Sequence, residues 1–200
     1  MFADSKIGFV YGSSNLWRTS DSGNSWTVVK TIGGSYFRAI DYNNKGDLFL
    51  CTDHPGNQVY KSTDKGITWT KLTTFNFRIN KILFCDQSAF VIGDEGSVYK
   101  SVDDGTTWAK VANLGAFLFD INVINNVGYC ISDQNGNYKT TDNGNTWTGM
   151  NVVINGLQFV SNIMMFSPDT VFIFGSGSVS GNGNGFGFSH TSYGIDRVLS

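Results

Sequence analysis

Four times in 200 residues this chain repeats an eight-residue phrase that ends in tryptophan. The copies are TSDSGNSW (Thr19–Trp26), STDKGITW (Ser62–Trp69), SVDDGTTW (Ser101–Trp108) and TTDNGNTW (Thr140–Trp147). Each sets a hydroxyl residue first, then an Asp, a Gly and a second hydroxyl at two-residue steps, then Trp. The invariant sets are Asp21, Gly23 and Trp26; Asp64, Gly66 and Trp69; Asp103, Gly105 and Trp108; and Asp142, Gly144 and Trp147. An aromatic and a base precede every copy: Trp17-Arg18, Tyr60-Lys61, Tyr99-Lys100 and Tyr138-Lys139. The glycines stand 43, 39 and 39 residues apart. A fixed period near 40 marks an array in which each repeat is one supersecondary unit.

A degenerate fifth copy lies in FSHTSYGIDRV (Phe188–Val198), which aligns without gaps on Tyr60–Thr70. It keeps Gly194, sets Ser192 where Asp should be and Arg197 where Trp should be, and follows a Gly/Ser/Asn insertion, Gly175–Gly187.

Between the boxes the pattern is strand-like. In the third unit Phe77–Cys85, Ser88–Gly93, Ser97–Ser101 and Thr107–Ala112 read as four short strands, with Asp86-Gln87 and Asp94-Glu95-Gly96 as turns. The fourth unit has an Asn135-Gly136 hairpin signal, and the second uses His54-Pro55-Gly56-Asn57. No long stretch has a helical period. Four antiparallel strands per repeat predict an all-β chain, a β-propeller of about five four-stranded blades with the box between third and fourth strands. The units run 1–33, 34–74, 75–114, 115–155 and 156–200 as one domain, expected to close as a ring. The first is short: Met1–Asp4 matches only the end of an inner strand.

Composition agrees. Glycine is 24 of 200 residues, charged residues are 15 % and aromatics 14 %, as many short strands with Gly turns require. A net charge of −2 points away from nucleic acid and membrane surfaces. No apolar run approaches the ~20 residues of a membrane helix. No signal peptide is visible, so a full-length chain is expected in cytoplasm or virion, and a processed one outside the cell. Cys51, Cys85 and Cys130 are odd in number, lack metal spacing and lie in apolar runs, as core residues would.

The phrase resembles the Asp-box, or bacterial neuraminidase repeat, of sialidase-type β-propellers, and the likeness covers essentially the whole chain. That family includes sialidases, other glycoside hydrolases, sorting receptors and a photosystem II assembly factor. The resemblance implies a box at the propeller rim, away from the central site, which fixes architecture and leaves chemistry open. A buried box Trp would cost ~3–5 kcal/mol to remove.

A sialidase-like site needs three arginines, a Tyr with a neighbouring Glu, and an acid Asp. This chain has Arg18, Arg38, Arg78 and Arg197, and its one Glu is Glu95, in a turn. Arg18 and Arg197 fall at boxes. For a two-carboxylate glycosidase the candidates are Asp41 and Asp120, both on inner strands. His54 and His190 form no metal pattern, and no cofactor is expected.

The reading is therefore a non-catalytic binding or scaffold module with a protein partner, or else a glycan or cell-surface binder. The partner face opposite the boxes should carry Tyr36, Phe37, Arg38, Phe77, Arg78, Phe117, His54, Glu95, Asn135 and the Gly175–Gly187 loop. Aromatics beside Arg are common interface anchors; the same Phe residues could equally pack between blades. Repeated pockets would favour sugar, and one asymmetric patch a protein. Oligomeric state is left open.

Overall fold

Alternation with a period of two puts one face of every strand into a seam and the other into the next seam. The computed structural model describes residues 1–176 apart from 35, 54–55, 87, 134–135 and 151–158. Their strands form five antiparallel sheets in chain order. The first holds β1 (Gly8–Tyr11), β2 (Asn15–Thr19) and β3 (Thr27–Thr31), with Phe2 bridged to Gly8. The second holds β4 (Phe37–Tyr42), β5 (Leu48–Thr52), β6 (Gln58–Ser62) and β7 (Thr70–Thr74). The third holds β8 (Ile79–Cys85), β9 (Ser88–Gly93), β10 (Ser97–Ser101) and β11 (Ala109–Asn113). The fourth holds β12 (Leu118–Ile124), β13 (Val127–Ser132), β14 (Asn137–Thr140) and β15 (Thr148–Met150). Of the fifth, β16 (Phe159–Ser167) and β17 (Thr170–Ser176) are described. Each strand pairs with its neighbours in sequence, and β4, β8, β12 and β16 lie against one another in turn.

The third unit's two middle strands fall where the sequence places them. Its outer strand starts later than expected because Trp108 still belongs to the box, its indole N–H donating to Gly105 O at 3.0 Å. Its inner strand starts at Ile79, because Phe77 is buried against the ring of Tyr99.

The core lies in the seams. Phe9, Phe49, Phe90 and Tyr129 share one register position on the second strands and face the next sheet. One residue later, Leu50, Val91 and Cys130 face the previous sheet, and each is 0 % exposed. Four apolar clusters thus join sheets one to five in sequence. Among the described residues no such cluster joins the fifth sheet to the first.

Each forward Phe runs beneath the next unit's box. A Cβ on Gly66 would stand 2.4 Å from the Phe9 ring, and one on Gly144 2.4 Å from the Phe90 ring. Both glycines also hold left-handed backbone, φ 80° and 73°. Glycine is therefore required there twice, for its conformation and for the space its missing side chain leaves.

The box is a carboxylate wrapped by its own turn. Asp64 Oδ1 accepts the Ser62 hydroxyl at 2.8 Å and the Thr68 N–H at 2.9 Å, and Oδ2 accepts the Thr68 hydroxyl at 2.6 Å. Gly66 N–H donates to Ser62 Oγ at 2.8 Å. The same pattern recurs at Asp21, Asp103 and Asp142. These bonds, led by the one from the second hydroxyl, hold all four carboxyls at about 2. Because they are depressed in the fold, the stability they contribute is complete above the unfolded value near 3.8 and is lost as pH falls towards 2. Acid unfolding monitored by tryptophan fluorescence is expected to set in between about pH 4 and pH 2; full native signal at pH 2 would contradict it.

The box tryptophans are less buried than expected. Trp69, Trp108 and Trp147 are half-buried and Trp26 is exposed. The indole N–H of each donates to its own box glycine carbonyl. This lays the ring along the rim with one face in water, and the Phe beneath carries the apolar load. Cys51 and Cys130 are buried, as core residues would be, and burial raises both thiols; Cys85 is half-buried and pushed up to about 12 by desolvation.

Candidate functional site: the mouth opposite the boxes

The first-to-second strand loops share a face with the boxes: Lys45 pairs with Asp104 at 2.5 Å. The inner strands start at the opposite end. There a second repeated device sets the geometry. Asp53 N–H donates to Tyr36 O at 2.9 Å, and Asp53 Oδ1 accepts the Tyr36 N–H at 3.1 Å. Asp133 holds Phe117 in the same way, at 3.1 Å for each bond. Asp94 N–H donates to Arg78 O at 3.1 Å. Sequence reading passed over Asp53, and it placed Asp94 and Asp133 in turns without this role. Their signal is Thr52-Asp53, Gly93-Asp94 and Ser132-Asp133: a small residue and an Asp closing each second strand, with nearly the spacing of the boxes.

The clip also corrects a register. Phe37-Arg38 and Phe77-Arg78 are the same dipeptide near the starts of two inner strands. Strand pairing instead aligns Phe37 (opposite Thr52) with Ile79 (opposite Gly93) and Leu118 (opposite Ser132). The equivalent residues one step earlier are Tyr36, Arg78 and Phe117, each held by the clipping Asp. Three successive units thus present Tyr, Arg and Phe at one station. Tyr36 is 54 % exposed, the Arg78 side chain 36 %, and Phe117 is half-buried beside Phe119. Phe37 and Phe77 are buried in the first two seams, and Phe37 also borders the cleft beside Arg38.

Electrostatics ties two of these units together. Arg38 Nε donates to Asp53 Oδ2 at 2.8 Å, and its Nη2 stands 2.6 Å from the same oxygen. Arg78 Nε lies 3.7 Å from that oxygen. Both guanidiniums lean on the buried Asp53 while their outer parts face solvent. Beside them Tyr11, Gly12, Ser13, Tyr36, Phe37 and Arg38 line a cleft of about 320 Å³. Tyr11 donates its hydroxyl to Arg38 O at 2.9 Å, and burial raises its phenol. Glu95 is exposed on a left-handed turn, φ 64°. His54, Asn135, His190, Arg197, the degenerate box and the part of the Gly-rich loop at 177–187 lie outside the described residues.

The two candidate catalytic carboxylates are occupied by backbone. Asp41 Oδ2 accepts the Phe84 N–H at 2.7 Å from the next inner strand, and desolvation raises its carboxyl. Asp120 Oδ2 accepts the Ile163 N–H at 3.1 Å, again from the next inner strand. Its Oδ1 takes the Ile121 N–H and Lys81 Nζ, both at 3.0 Å. Arg18 reaches the next box, donating to Lys65 O at 2.7 Å. Among the described residues no three His, Cys, Asp or Glu side chains converge as metal ligands would.

No family model matches the chain. A stretch of 61 residues, 29 % of the chain, is 43 % identical to vacuolar protein sorting/targeting protein 10 of Sordaria macrospora and spans 4 % of that protein. Among solved structures, the GH74 enzyme of Niastella koreensis superposes with a TM-score of 0.69 at 17 % identity, over 90 % of this chain and 36 % of that one. YCF48 from Cyanidioschyzon merolae gives 0.63 at 16 % identity, over 84 % and 63 %. The N-terminal domain of Nup159 gives 0.59 at 10 % identity, over 96 % and 56 %. The chain spans less than two thirds of each of these structures, and at such identities the likeness is one of fold. The antiparallel four-stranded units and these propeller neighbours together establish that the chain folds as a β-propeller.

Proposed function

We propose that this chain is an Asp-box propeller that acts as a non-catalytic scaffold and holds a protein partner at the mouth opposite the boxes. The observation that carries this reading is the station occupied by Tyr36, Arg78 and Phe117. Equivalent positions in three units bear three different side chains, two aromatic and one cationic. A sugar-binding array would repeat its pocket from unit to unit; a varied row beside one cleft suits a single continuous protein surface. Tyr and Arg are frequent hot spots. Arg38 is braced by two short contacts with Asp53 and so is partly pre-organised.

Hydrolysis has weaker support. The oxygens of Asp41 and Asp120 that point across the seams already accept backbone N–H groups, and a general acid or base needs its oxygen free to meet substrate.

Photo-crosslinking separates the faces. A benzophenone side chain at Tyr36 or Phe117, in native extract, is expected to give the same single protein adduct, weakened by Arg78→Ala. The same probe at Ile67 or Val102, exposed within the boxes, is expected to give none. Adducts from the box face alone, or turnover of a fluorogenic glycoside that disappears in Asp120→Asn, would overturn the reading.

A further inference from the structure

The first seam keeps an opening on the box face that the second and third seams close with their own bonds. The residue after the box Asp is Lys65, Asp104 and Asn143 in the second, third and fourth units, and all three hold left-handed backbone, φ 59°, 55° and 56°. In the second seam the first-to-second strand turn of the preceding unit reaches this station. Lys45 pairs with Asp104 there, and Asn44 Nδ2 donates to Asp86 O at 2.8 Å. In the third seam Asn143 Nδ2 donates to Ser88 Oγ at 3.0 Å. The first unit has the same turn as the second, since Ala3 N–H donates to Ile7 O as Asn43 N–H donates to Asp47 O. That alignment sets Ser5 in the place of Lys45 and Lys65 in the place of Asp104. Ser5 is short and uncharged, and Lys65 forms no ion pair among the described residues.

The unfilled place is a cleft of about 340 Å³, within the usual range for a small-molecule site. Its apolar lining is Ala3, Ile7 and Leu48, and its charged lining is Asp4 and Lys65. Tyr42, Asn43, Asn44 and Gly46 supply the rest. Asp4 Oδ1 accepts the Lys6 and Ile7 N–H groups at 2.8 and 2.7 Å, which leaves Oδ2 to turn outward. These two bonds hold the Asp4 carboxyl below its usual range, with a smaller pull from the charges of Lys65 and Arg18. Opposite charges thus share one cleft without pairing with each other.

We propose that this cleft binds a small zwitterion, a free α-amino acid with an apolar side chain, its carboxylate on Lys65 Nζ, its ammonium on Asp4 Oδ2 and its side chain towards Ile7 and Leu48. A simple anion would also face Asp4, a simple cation would also face Lys65, and a neutral sugar would use neither charge. Only a ligand that carries both signs matches both groups through charge-assisted hydrogen bonds.

Calorimetric titration of the full chain tests this with L-leucine, with isocaproate, which lacks the amine, with isoamylamine, which lacks the carboxylate, and with glucose. Leucine is expected to bind once per chain, and each analogue about fivefold more weakly, the scale of one exposed ion pair. Lys65→Gln should weaken leucine and isocaproate and leave isoamylamine unchanged. Asp4→Asn keeps an acceptor for Lys6 and Ile7, and should weaken leucine and isoamylamine while leaving isocaproate unchanged. Ser5→Lys combined with Lys65→Asp rebuilds the bridge of the second seam and should abolish leucine binding in a fully folded chain. Leucine binding no tighter than either analogue, preferential binding of glucose, or equal loss of all ligands in both single variants would overturn the proposal. The cleft is on the box face, so none of these outcomes bears on the partner site at Tyr36 and Arg78.

Discussion

Phe90→Ala is expected to be among the most damaging single changes in this chain, lowering stability by ~3–5 kcal/mol, the usual cost of truncating a fully buried Phe. Phe90 is 0 % exposed, packs with Leu118, Ile121 and Val123, and lies under the box of the fourth unit. For a chain of this size that corresponds to a fall in thermal midpoint on the order of 10 °C. Gly144→Ala attacks the same contact from above. The new methyl would enter at 2.4 Å from the Phe90 ring, on backbone at φ 73°. Left-handed strain costs about 1 kcal/mol and overpacking about 1–3 kcal/mol more. The double variant decides whether the two residues are one device. If the ring forces the glycine, removing it makes room for the methyl, and the double variant loses less than the two singles together, by at least ~0.5 kcal/mol. Denaturant titration of the four proteins measures this; strict additivity would show that Gly144 is kept for its backbone angle alone.

Asp120→Ala is expected to cost ~2–4 kcal/mol, because it strands the buried N–H groups of Ile121 and Ile163 without an acceptor. Lys81 also loses its partner but is 35 % exposed and can turn to water, so it adds little. Asp120→Asn keeps one acceptor oxygen and should cost about half as much. Amide exchange at Ile121 and Ile163 should accelerate in the alanine variant. Unchanged stability together with a lost activity would reverse the assignment and return Asp120 to catalysis. The residue shows why inner-strand carboxylates mislead in a repeat fold: an Asp beside a channel and an Asp stitching two sheets have the same local sequence.

The fold was legible because its signals are local. Box spacing, turn glycines and alternating apolar residues each act within a few positions, and each unit repeats them. The mouth was only partly legible. Tyr36, Arg78 and Phe117 stood among the candidates, but Phe37 and Phe77 stood beside them. Every strand has two faces and only the register says which one is buried; pairing sets Phe37 opposite Thr52 and Ile79 opposite Gly93, two residues beyond Phe77. Asp53 went unnoticed because the two arginines near it, Arg38 and Arg78, belong to different units.

The four boxes determined by themselves that this chain would be built from antiparallel four-stranded units, since hydroxyl, Asp, Gly and Trp satisfy one another inside a single turn. Only the tertiary structure decided what each box rests on and which residues reach the mouth. A carboxylate wrapped by its own turn needs nothing from elsewhere, whereas a glycine beneath which a neighbour's phenylalanine passes, or an inner-strand aspartate that accepts the next sheet's N–H, acquires its meaning only when the sheets stand side by side.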